Sequence, residues 1–144
     1  MIERYTEKAR RTIFFAHYEA SQFGSPYIET EHILLGLLRE NRELVRLLPQ
    51  GSGESIRKQI EAHTTFFEKV STSVDLPLSN ESKRVLAYGA EEAERLAHRH
   101  IGTEDLFLGL LREKGCFAAE VLRGQSVSLE RLEGTLRENI SPGR

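Results

Sequence analysis

The 144-residue sequence has a single cysteine, four prolines and no tryptophan. One cysteine cannot form an intramolecular disulfide, so a disulfide-stabilised scaffold is excluded, and a lone thiol fits a reducing compartment. The first residues, from Met1 to Tyr5, lack the apolar segment of a signal peptide. No apolar run approaches the length of about 18 residues that indicates a membrane span. These absences predict a soluble, cytoplasmic protein without a membrane partner.

A strong net charge is also missing, because 20 basic and 22 acidic residues leave a formal charge of -2. Modules that bind nucleic acid are usually clearly basic. None of the helices predicted below is strongly basic, so we expect no nucleic-acid partner, and salt-dependent DNA binding would contradict this. A heptad seam is absent as well, which favours a monomer in isolation.

Motifs that carry catalysis, phosphate binding or metal binding are not found. The G-x-x-x-x-G-K-[ST] phosphate loop and the H-E-x-x-H zinc motif do not occur in the sequence. The five histidines are isolated or, like His98 and His100, too close in sequence to share one helix face. The sequence therefore predicts a protein that is not an enzyme and has no cofactor and no metal.

One apolar segment occurs twice. It reads TEHILLGLLRE from Thr30 to Glu40 and TEDLFLGLLRE from Thr103 to Glu113. A helix that is apolar on most sides is normally buried at the centre of a domain. Gly36 and Gly109 each cost about 1 kcal/mol in a helix interior relative to alanine. Such a cost predicts that a neighbouring helix approaches closely at each glycine.

The start of each repeated segment looks like a helix N-terminus. Thr30 and Thr103 are predicted N-caps, because a threonine hydroxyl can accept from a free amide of the first turn. The carboxylates that follow, Glu31 and Glu104, complement the positive end of the helix dipole.

The repeat extends well beyond this segment at a constant offset of 73 positions, which pairs Arg11 with Arg84 and Ile28 with Ile101 without a gap. We therefore predict an all-α fold of two pseudo-two-fold repeats of about four helices each, packed as one domain. The predicted divisions are a single domain at 1–144, made of repeat one at 1–69, a linker at 70–77, repeat two at 78–140 and a C-terminal linker stub at 141–144.

Capping residues define the ends of the predicted helices. Thr6 starts a helix that runs to about Phe23 and ends at Gly24, and Ser79 starts its counterpart. Further helices are predicted from an apolar turn or an apolar face, and these are Leu44 to Leu48, a helix marked by Ile56, Ile60 and Phe67, Phe117 to Leu122, and a last helix from Ser128 to Ile140.

The duplicated unit resembles the N-terminal repeat domain of the Clp-family AAA+ unfoldases, in particular the ClpC branch. The resemblance covers nearly the whole chain, from about Met1 to Ile140, and rests on the segments YTEKARR from Tyr5, IETEHILLGLL from Ile28, IGTE from Ile101 and LGLL from Leu108. It implies a non-catalytic domain that hands protein substrates, or adaptor proteins loaded with them, to an ATPase ring.

Neither Walker motif of such a ring occurs in this sequence, and its end resembles a domain cut at a linker. Two interpretations therefore stay open. In the first, the chain is the N-domain of a longer unfoldase, with the ring in cis. In the second, it is a stand-alone accessory protein that docks on a Clp ring in trans and controls its assembly or loading.

The resemblance also implies binding residues. ClpC-type domains bind phosphoarginine at two equivalent sites, where a glutamate holds the guanidinium and a helix N-terminus supports the phosphate. Carried over by position, the two sites are Glu31 with Thr6, and Glu104 with Ser79 and the nearby Lys83. The alternative is that these residues are ordinary helix-start residues.

Three positions depart from the family pattern. Glu29 stands where glycine is usual, and Glu81 stands where arginine is common. Each is expected to weaken one of the two sites by repelling phosphate. Asp105 replaces the usual histidine after Glu104.

A second surface implied by the resemblance is an apolar groove between the first helices of the two repeats. It would be formed by Ile2, Ile13 and Leu78 and flanked by Arg10 and Lys83. The alternative is that Ile13 is simply a core residue.

Overall fold

The computed structural model describes residues 4–64 and 67–127. Within these ranges the chain forms seven helices and no strand, which confirms the predicted all-α class. The helices are α1 (Glu7–Phe23), α2 (Thr30–Glu40), α3 (Arg42–Leu47), α4 (Ser52–His63), α5 (Asn80–Arg95), α6 (Thr103–Arg112) and α7 (Phe117–Gly124).

Helices α1 and α2 form an antiparallel hairpin. At one end of the hairpin the ring of Phe23 stacks on the ring of His32, with 5.7 Å between centroids. At the other end the side chain of Arg11 donates to the carboxylate of Glu40 at 2.6 Å. Helices α5 and α6 repeat this arrangement, since Arg84 donates to Glu113 at the same distance of 2.6 Å.

The two helical glycines lie where the helices of each hairpin touch. A Cβ atom at Gly36 would lie 2.4 Å from the carbonyl oxygen of Thr12 in α1. The equivalent atom at Gly109 would lie 2.5 Å from the carbonyl oxygen of Val85 in α5. Only glycine permits this backbone approach, so the close contact predicted from the sequence is present in both hairpins.

The core is formed mainly by α2 and α6, which are buried on most sides. Five aliphatic or aromatic side chains from each helix are at most 7% exposed. The largest fully buried apolar side chains of these two helices are Phe107, Ile33, Leu34, Leu37, Leu106, Leu108 and Leu110. Burial of such side chains, worth roughly 1.5–3 kcal/mol each, fixes the position of both helix N-termini.

The segments that precede the helices pair between the repeats. The amide of Thr6 donates to the carbonyl oxygen of Ile101 at 2.9 Å, just before α6. The amide of Ser79 donates to the carbonyl oxygen of Ile28 at 3.1 Å, just before α2. Because these four residues are related by the offset of 73, each repeat makes the same contact with the other.

Thr6 and Ser79 are N-caps, as predicted. The hydroxyl oxygen of Thr6 accepts from the amide of Ala9 at 3.1 Å, and that of Ser79 accepts from the amide of Ser82 at 3.1 Å. Gly24 ends α1 in the left-handed conformation with a φ of 68°. These local signals therefore place both long helices correctly.

The predicted N-caps of α2 and α6 are wrong. Glu29 and Gly102 occupy the N-cap positions, and Thr30 and Thr103 are the first helical residues. The threonine hydroxyls have other partners, since Thr103 accepts from the side-chain amide of Asn41 at 2.7 Å. At Thr103, a contact between the repeats therefore takes the place of the local capping bond, whereas the hydroxyl of Thr30 donates to the neighbouring Glu31 at 3.4 Å.

The side chain of the third helical residue instead accepts a hydrogen bond from the N-cap amide in each of these two helices. Nδ1 of His32 accepts from the amide of Glu29 at 2.9 Å. The carboxylate of Asp105 accepts from the amide of Gly102 at 2.8 Å. Asp105, which departs from the family pattern, therefore performs the same capping role as His32.

The predicted fourth helix is shorter than expected. Helix α4 ends at His63, and Phe67 lies beyond it with 62% of its surface exposed. The amide of Phe67 donates to the carbonyl oxygen of Phe23 at 3.3 Å, so the chain has already turned back along α1. The predicted helix from Ser128 to Ile140 and the groove residue Ile2 lie outside the described residues. The division into repeats at 69 and 78 stays a prediction.

Candidate functional site

The predicted pairing of Thr6 with Glu31 is wrong. Phe23, at the C-terminal end of α1, packs on His32 at the start of α2. Thr6 is at the opposite end of α1, and the 17 residues of this helix span about 25 Å. Thr6 and Glu31 are therefore at opposite ends of one hairpin, and the same antiparallel arrangement separates Ser79 from Glu104.

The structure instead pairs each first helix with the buried helix of the other repeat. The bond from Thr6 to Ile101 places the start of α1 against the start of α6, where Glu104 lies. The bond from Ser79 to Ile28 places the start of α5 against the start of α2. Two groups of candidate residues follow from this arrangement. We call Thr6, Lys8, Arg10, Gly102 and Glu104 the α1/α6 site, and Ser79, Glu81, Lys83, Glu29 and Glu31 the α5/α2 site.

The carboxylate of Glu104 in the α1/α6 site accepts a hydrogen bond from a buried hydroxyl group. The hydroxyl of Thr103 accepts from Asn41 at 2.7 Å and donates to Glu104 at 3.3 Å. Glu104 itself is only 6% exposed. A side chain fixed in this way is suited to bind a donor group that reaches it from the protein surface.

The start of α1 carries two cationic side chains of the α1/α6 site and one acidic side chain, Glu7, which pairs with Arg11 at 2.9 Å. Lys8 and Arg10 are exposed on the first two turns of α1. The amides of the first turn have no partner within the helix and carry the positive end of the helix dipole. Gly102 adds no side chain beside them. This arrangement can accommodate an anionic group next to the Glu104 carboxylate.

The α5/α2 site has the opposite electrostatic character. Glu31 is partly buried, and its pKa is raised, first by burial and further by the negative charge of Glu29. Ser82, one residue from Glu81, donates its hydroxyl to the carbonyl oxygen of Ile28 at 2.8 Å, which holds the start of α5 against α2. Lys83 is exposed and is the lysine of this site.

Two of the three departures from the family pattern, Glu29 and Glu81, therefore fall in one site, whereas Asp105 caps α6. From the sequence, we expect Glu29 and Glu81 to weaken one site each. Because the sites are composed across the repeats, Glu29 and Glu81 lie together in the α5/α2 site. Their equivalents at the offset of 73 are Gly102 and Lys8 in the α1/α6 site. Sequence reasoning missed Lys8 and Gly102, although the offset alone could have identified them.

The residues of the predicted apolar groove have two kinds of environment. Ile13 and Leu78 are half-buried and pack against the hydrophobic core. Arg10 and Lys83 are exposed at the starts of α1 and α5. These contacts support the core interpretation of Ile13, and a groove between the first helices stays a prediction.

Within residues 4–64 and 67–127, no group of three or more acidic, histidine or cysteine side chains is arranged to hold a metal ion. Across the same ranges, none of the helices has the length and apolar character that crossing a bilayer requires. Cys116 is buried, and burial raises the pKa of its thiol. Its sulfur accepts from the amide of Ala119 as the N-cap of α7.

The described residues form an all-α domain of two helical hairpins, and the segments before their helices contact each other across the repeats. The Clp repeat (R) N-terminal domain family matches residues 4–141. The chain belongs to this family, as its repeated segments indicated.

Curated relatives extend far beyond the matched region. The chain is 36% identical over 134 residues to the negative regulator of genetic competence ClpC/MecB of Bacillus subtilis, which covers 91% of this chain and 16% of that protein. It is 38% identical over 124 residues to the chloroplastic chaperone protein ClpC1 of Arabidopsis thaliana, and this alignment covers 85% of this chain and 13% of that protein. The chain thus spans less than a fifth of the length of these relatives.

Solved structures share the fold. The N-terminal domain of the Caseinolytic protease associated chaperone ClpD from Arabidopsis thaliana superposes with a TM-score of 0.73 at 29% identity, covering 93% of this chain and 95% of that chain. The Hsp104 N-terminal domain from Candida albicans superposes with a TM-score of 0.75 at 13% identity, covering 97% and 93%. The second likeness concerns the fold alone.

Proposed function

We propose that this chain is a recognition domain that delivers protein substrates or adaptor proteins to a Clp-type ATPase ring, and that it binds phosphoarginine on them. Membership of the Clp repeat N-terminal domain family supports the first part. The composite α1/α6 site supports the second part, because it combines a fixed carboxylate with a cationic helix N-terminus.

The α1/α6 site matches the two charges of phosphoarginine. The Glu104 carboxylate pairs with the guanidinium group through charge-assisted hydrogen bonds. The phosphate binds to the amides at the start of α1, with Lys8 and Arg10 beside it. Thr6 holds this turn in place by capping α1.

The α5/α2 site is the weaker phosphate site. Glu29 and Glu81 stand where its counterpart has Gly102 and Lys8, so two negative charges replace one positive charge and a neutral residue. Repulsion between these carboxylates and a phosphate opposes binding. The single observation that carries the proposal is that Glu29 and Glu81 lie together at the α5/α2 site, while the α1/α6 site has Gly102 and Lys8 at the equivalent positions.

Calorimetric titration with a phosphoarginine peptide tests the proposal. We expect one dominant site, lost in Glu104→Gln and retained in the matched variant Glu31→Gln. The unphosphorylated peptide should not occupy the α1/α6 site, so Glu104→Gln should not alter any heat that it produces. Two equal sites, or no binding by the folded domain, would overturn the proposal.

A second candidate function is that of an accessory protein that docks on a Clp ring. An aromatic surface on α1 favours it, since Phe14 is 62% exposed and Tyr18 is 38% exposed. The equivalent residues of α5 are Ala87 and Glu91, so only one repeat carries this surface. The domain should then bind an isolated Clp ring and ignore free substrates, and Phe14→Ala should weaken ring binding without affecting phosphoarginine.

A further inference from the structure

A cleft of about 480 Å³ lies between the end of α2, helix α3 and the start of α4 in the first repeat. Its apolar part is formed by Leu35 and Leu38 of α2 and by Val45 of α3. Leu35 and Leu38 belong to the hydrophobic core, and Val45 is partly buried against it. Charged side chains from all three helices and from α1 form the rest of the lining. We call this space the α2–α4 cleft.

The two carboxylates that line the cleft already have basic partners. Arg57 of α4 donates to both carboxylate oxygens of Glu19, at 3.3 and 2.8 Å. The carboxylate of Glu54 lies 3.6 Å from Nζ of Lys58, one turn further along α4. The net charge of the cleft is therefore set by its remaining basic side chains.

These side chains are two arginines, Arg39 at the end of α2 and Arg42 at the start of α3. Among the residues that the structure describes, no carboxylate forms an ion pair with either of them. The guanidinium group of Arg39 lies over the ring of Phe15, 3.8 Å from the ring centroid. Stacking holds a guanidinium group flat and leaves the N–H donors along its edge available. The cleft therefore presents two positive charges next to an apolar surface.

The second repeat has the same stacked arginine with its charge neutralised. Arg112 stands at the offset of 73 from Arg39 and lies over the ring of Tyr88, 4.4 Å from the ring centroid. Its guanidinium group donates to Glu91 at 2.9 Å and to Glu92 at 3.1 Å. An arginine held in this way therefore binds carboxylates at its free edge.

The first repeat provides no such carboxylates for Arg39. Tyr18 stands at the position of Glu91. The other counterpart, Glu19, is present but is bound by Arg57. The first repeat has therefore kept the stacked cation and lost both of its acidic partners.

Two further differences make the cleft more favourable for an anion. Arg42 stands where the second repeat has Gly115, so it adds a positive charge. The N-cap of α4 is Gly51, which has no side chain to accept from the first amides of the helix. Gly51 and Gly53 both line the cleft, and the positive end of the α4 dipole lies beside them.

We propose that the α2–α4 cleft binds an acidic peptide segment of a protein partner, with a glutamate or aspartate carboxylate on Arg39 and Arg42. An apolar side chain next to this carboxylate packs on Leu38 and Val45. The guanidinium fork matches a carboxylate through two parallel hydrogen bonds, and the apolar contact removes hydrophobic surface from water. None of these residues belongs to the α1/α6 site, so the acidic peptide binds independently of phosphoarginine.

Chemical-shift titration of the domain at low salt, with the peptide N-acetyl-Glu-Leu-Glu-Leu-amide, tests this inference. The control peptide N-acetyl-Gln-Leu-Gln-Leu-amide keeps the shape and loses the negative charges. We expect saturable shifts at Arg39, Arg42 and the amide of Gly53, and binding at least about tenfold weaker for the glutamine peptide. Equal binding of the two peptides, or no saturable shift at these residues, would overturn the inference.

Arginine variants locate the site. Arg39→Gln and Arg42→Gln should each weaken binding of the glutamate peptide about fivefold or more. Arg112→Gln is the matched control and should leave binding unchanged, because the Arg112 guanidinium already pairs with two carboxylates. Arg10→Gln, in the α1/α6 site, should leave it unchanged as well. A loss in Arg10→Gln without a loss in Arg39→Gln would place the peptide on the α1/α6 site and overturn the inference.

The variant Tyr18→Glu tests the comparison between the repeats without removing a cation. It supplies Arg39 with the carboxylate that Glu91 supplies to Arg112. Peptide binding should weaken about fivefold in a domain whose circular dichroism is unaltered, while phosphoarginine binding should not change. Unaltered peptide binding in both Tyr18→Glu and Arg39→Gln would overturn the inference and leave the phosphoarginine proposal standing.

Discussion

The side-chain amide of Asn41 donates to the hydroxyl oxygen of Thr103 at 2.7 Å, across 62 positions of the chain. Asn41 also caps α3, since its side-chain oxygen accepts from the amide of Leu44 at 3.1 Å. One buried side chain therefore joins the first repeat to the start of α6. It also holds the hydroxyl that donates to Glu104, so this contact connects the stability of the domain with the geometry of the α1/α6 site.

Replacing Asn41 with alanine should destabilise the domain by about 2–3 kcal/mol. About 1 kcal/mol comes from the lost cap, and the rest comes from the buried groups left without partners. Lys114 stands at the equivalent position of the second repeat and is exposed, so Lys114→Ala is the matched control and should change stability by less than about 0.5 kcal/mol. Urea denaturation measures both values. Equal effects of the two substitutions would show that Asn41 does not join the repeats energetically.

Replacing a helical glycine with alanine should destabilise the domain at one position and stabilise it at another. At Gly36 the added Cβ would lie 2.4 Å from a backbone oxygen of α1, so Gly36→Ala should destabilise the domain by about 2 kcal/mol or more. At Gly53, in α4, the added atom meets nothing within 4 Å. Gly53→Ala should therefore stabilise the domain by about 0.5 kcal/mol through helix propensity. Thermal unfolding distinguishes the signs, and a stabilised Gly36→Ala domain would refute the close helix contact.

Acid should destabilise the domain through His32. The pKa of His32 is lowered from 6.5 to about 4 by burial, so the unfolded chain takes up this proton more readily than the folded one. Stability is therefore lost as the pH falls below about 6.5, by about 2 kcal/mol between pH 7 and pH 5. The raised pKa of Glu31 acts in the opposite direction at lower pH.

The variant His32→Asn isolates this contribution. It should lower stability at pH 7 but flatten the fall between pH 7 and pH 5, as measured by urea denaturation at a series of pH values. If wild type and variant lose the same free energy over this interval, His32 is not the group that titrates.

Local signals in the sequence were sufficient for much of the fold. Apolar periodicity and the caps Thr6, Ser79 and Gly24 predicted the all-α class and the two long helices. Gly36 and Gly109 predicted the close contacts of the hairpins. A glycine within a buried helix is unfavourable, and a close approach of the neighbouring helix is the main physical reason for its presence there. Each of these predictions depends on residues that are close together in the sequence.

The site could not be derived in the same way. Its composition depends on how the repeats pack, and the bonds from Thr6 to Ile101 and from Ser79 to Ile28 connect distant segments. Sequence position suggested that Glu31 belongs with Thr6 of its own repeat, whereas an antiparallel hairpin separates them. The N-caps of α2 and α6 were also mispredicted, because the hydroxyl of Thr103 is used by Asn41 from the other repeat.

Each proposed site combines helix starts from both repeats. This arrangement predicts that phosphate binding can be restored to the α5/α2 site. The double substitution Glu29→Gly/Glu81→Lys gives this site the residues that the α1/α6 site has at Gly102 and Lys8. Glycine is already the N-cap of α6, so the change should be tolerated at the start of α2. Three units of positive charge are gained near the phosphate position, and phosphoarginine binding should strengthen there at least about tenfold at low salt.

Calorimetry in the Glu104→Gln background measures this gain without interference from the α1/α6 site. Each single substitution should produce part of the effect at the same site, because both residues lie against the start of α2. If Glu81→Lys gave no gain in this background but strengthened binding when Glu104 is present, the start of α5 would act with Glu104 of its own repeat, and the pairing of sites across the repeats would be refuted. Added salt should reduce the gain, since the new contribution is electrostatic and exposed.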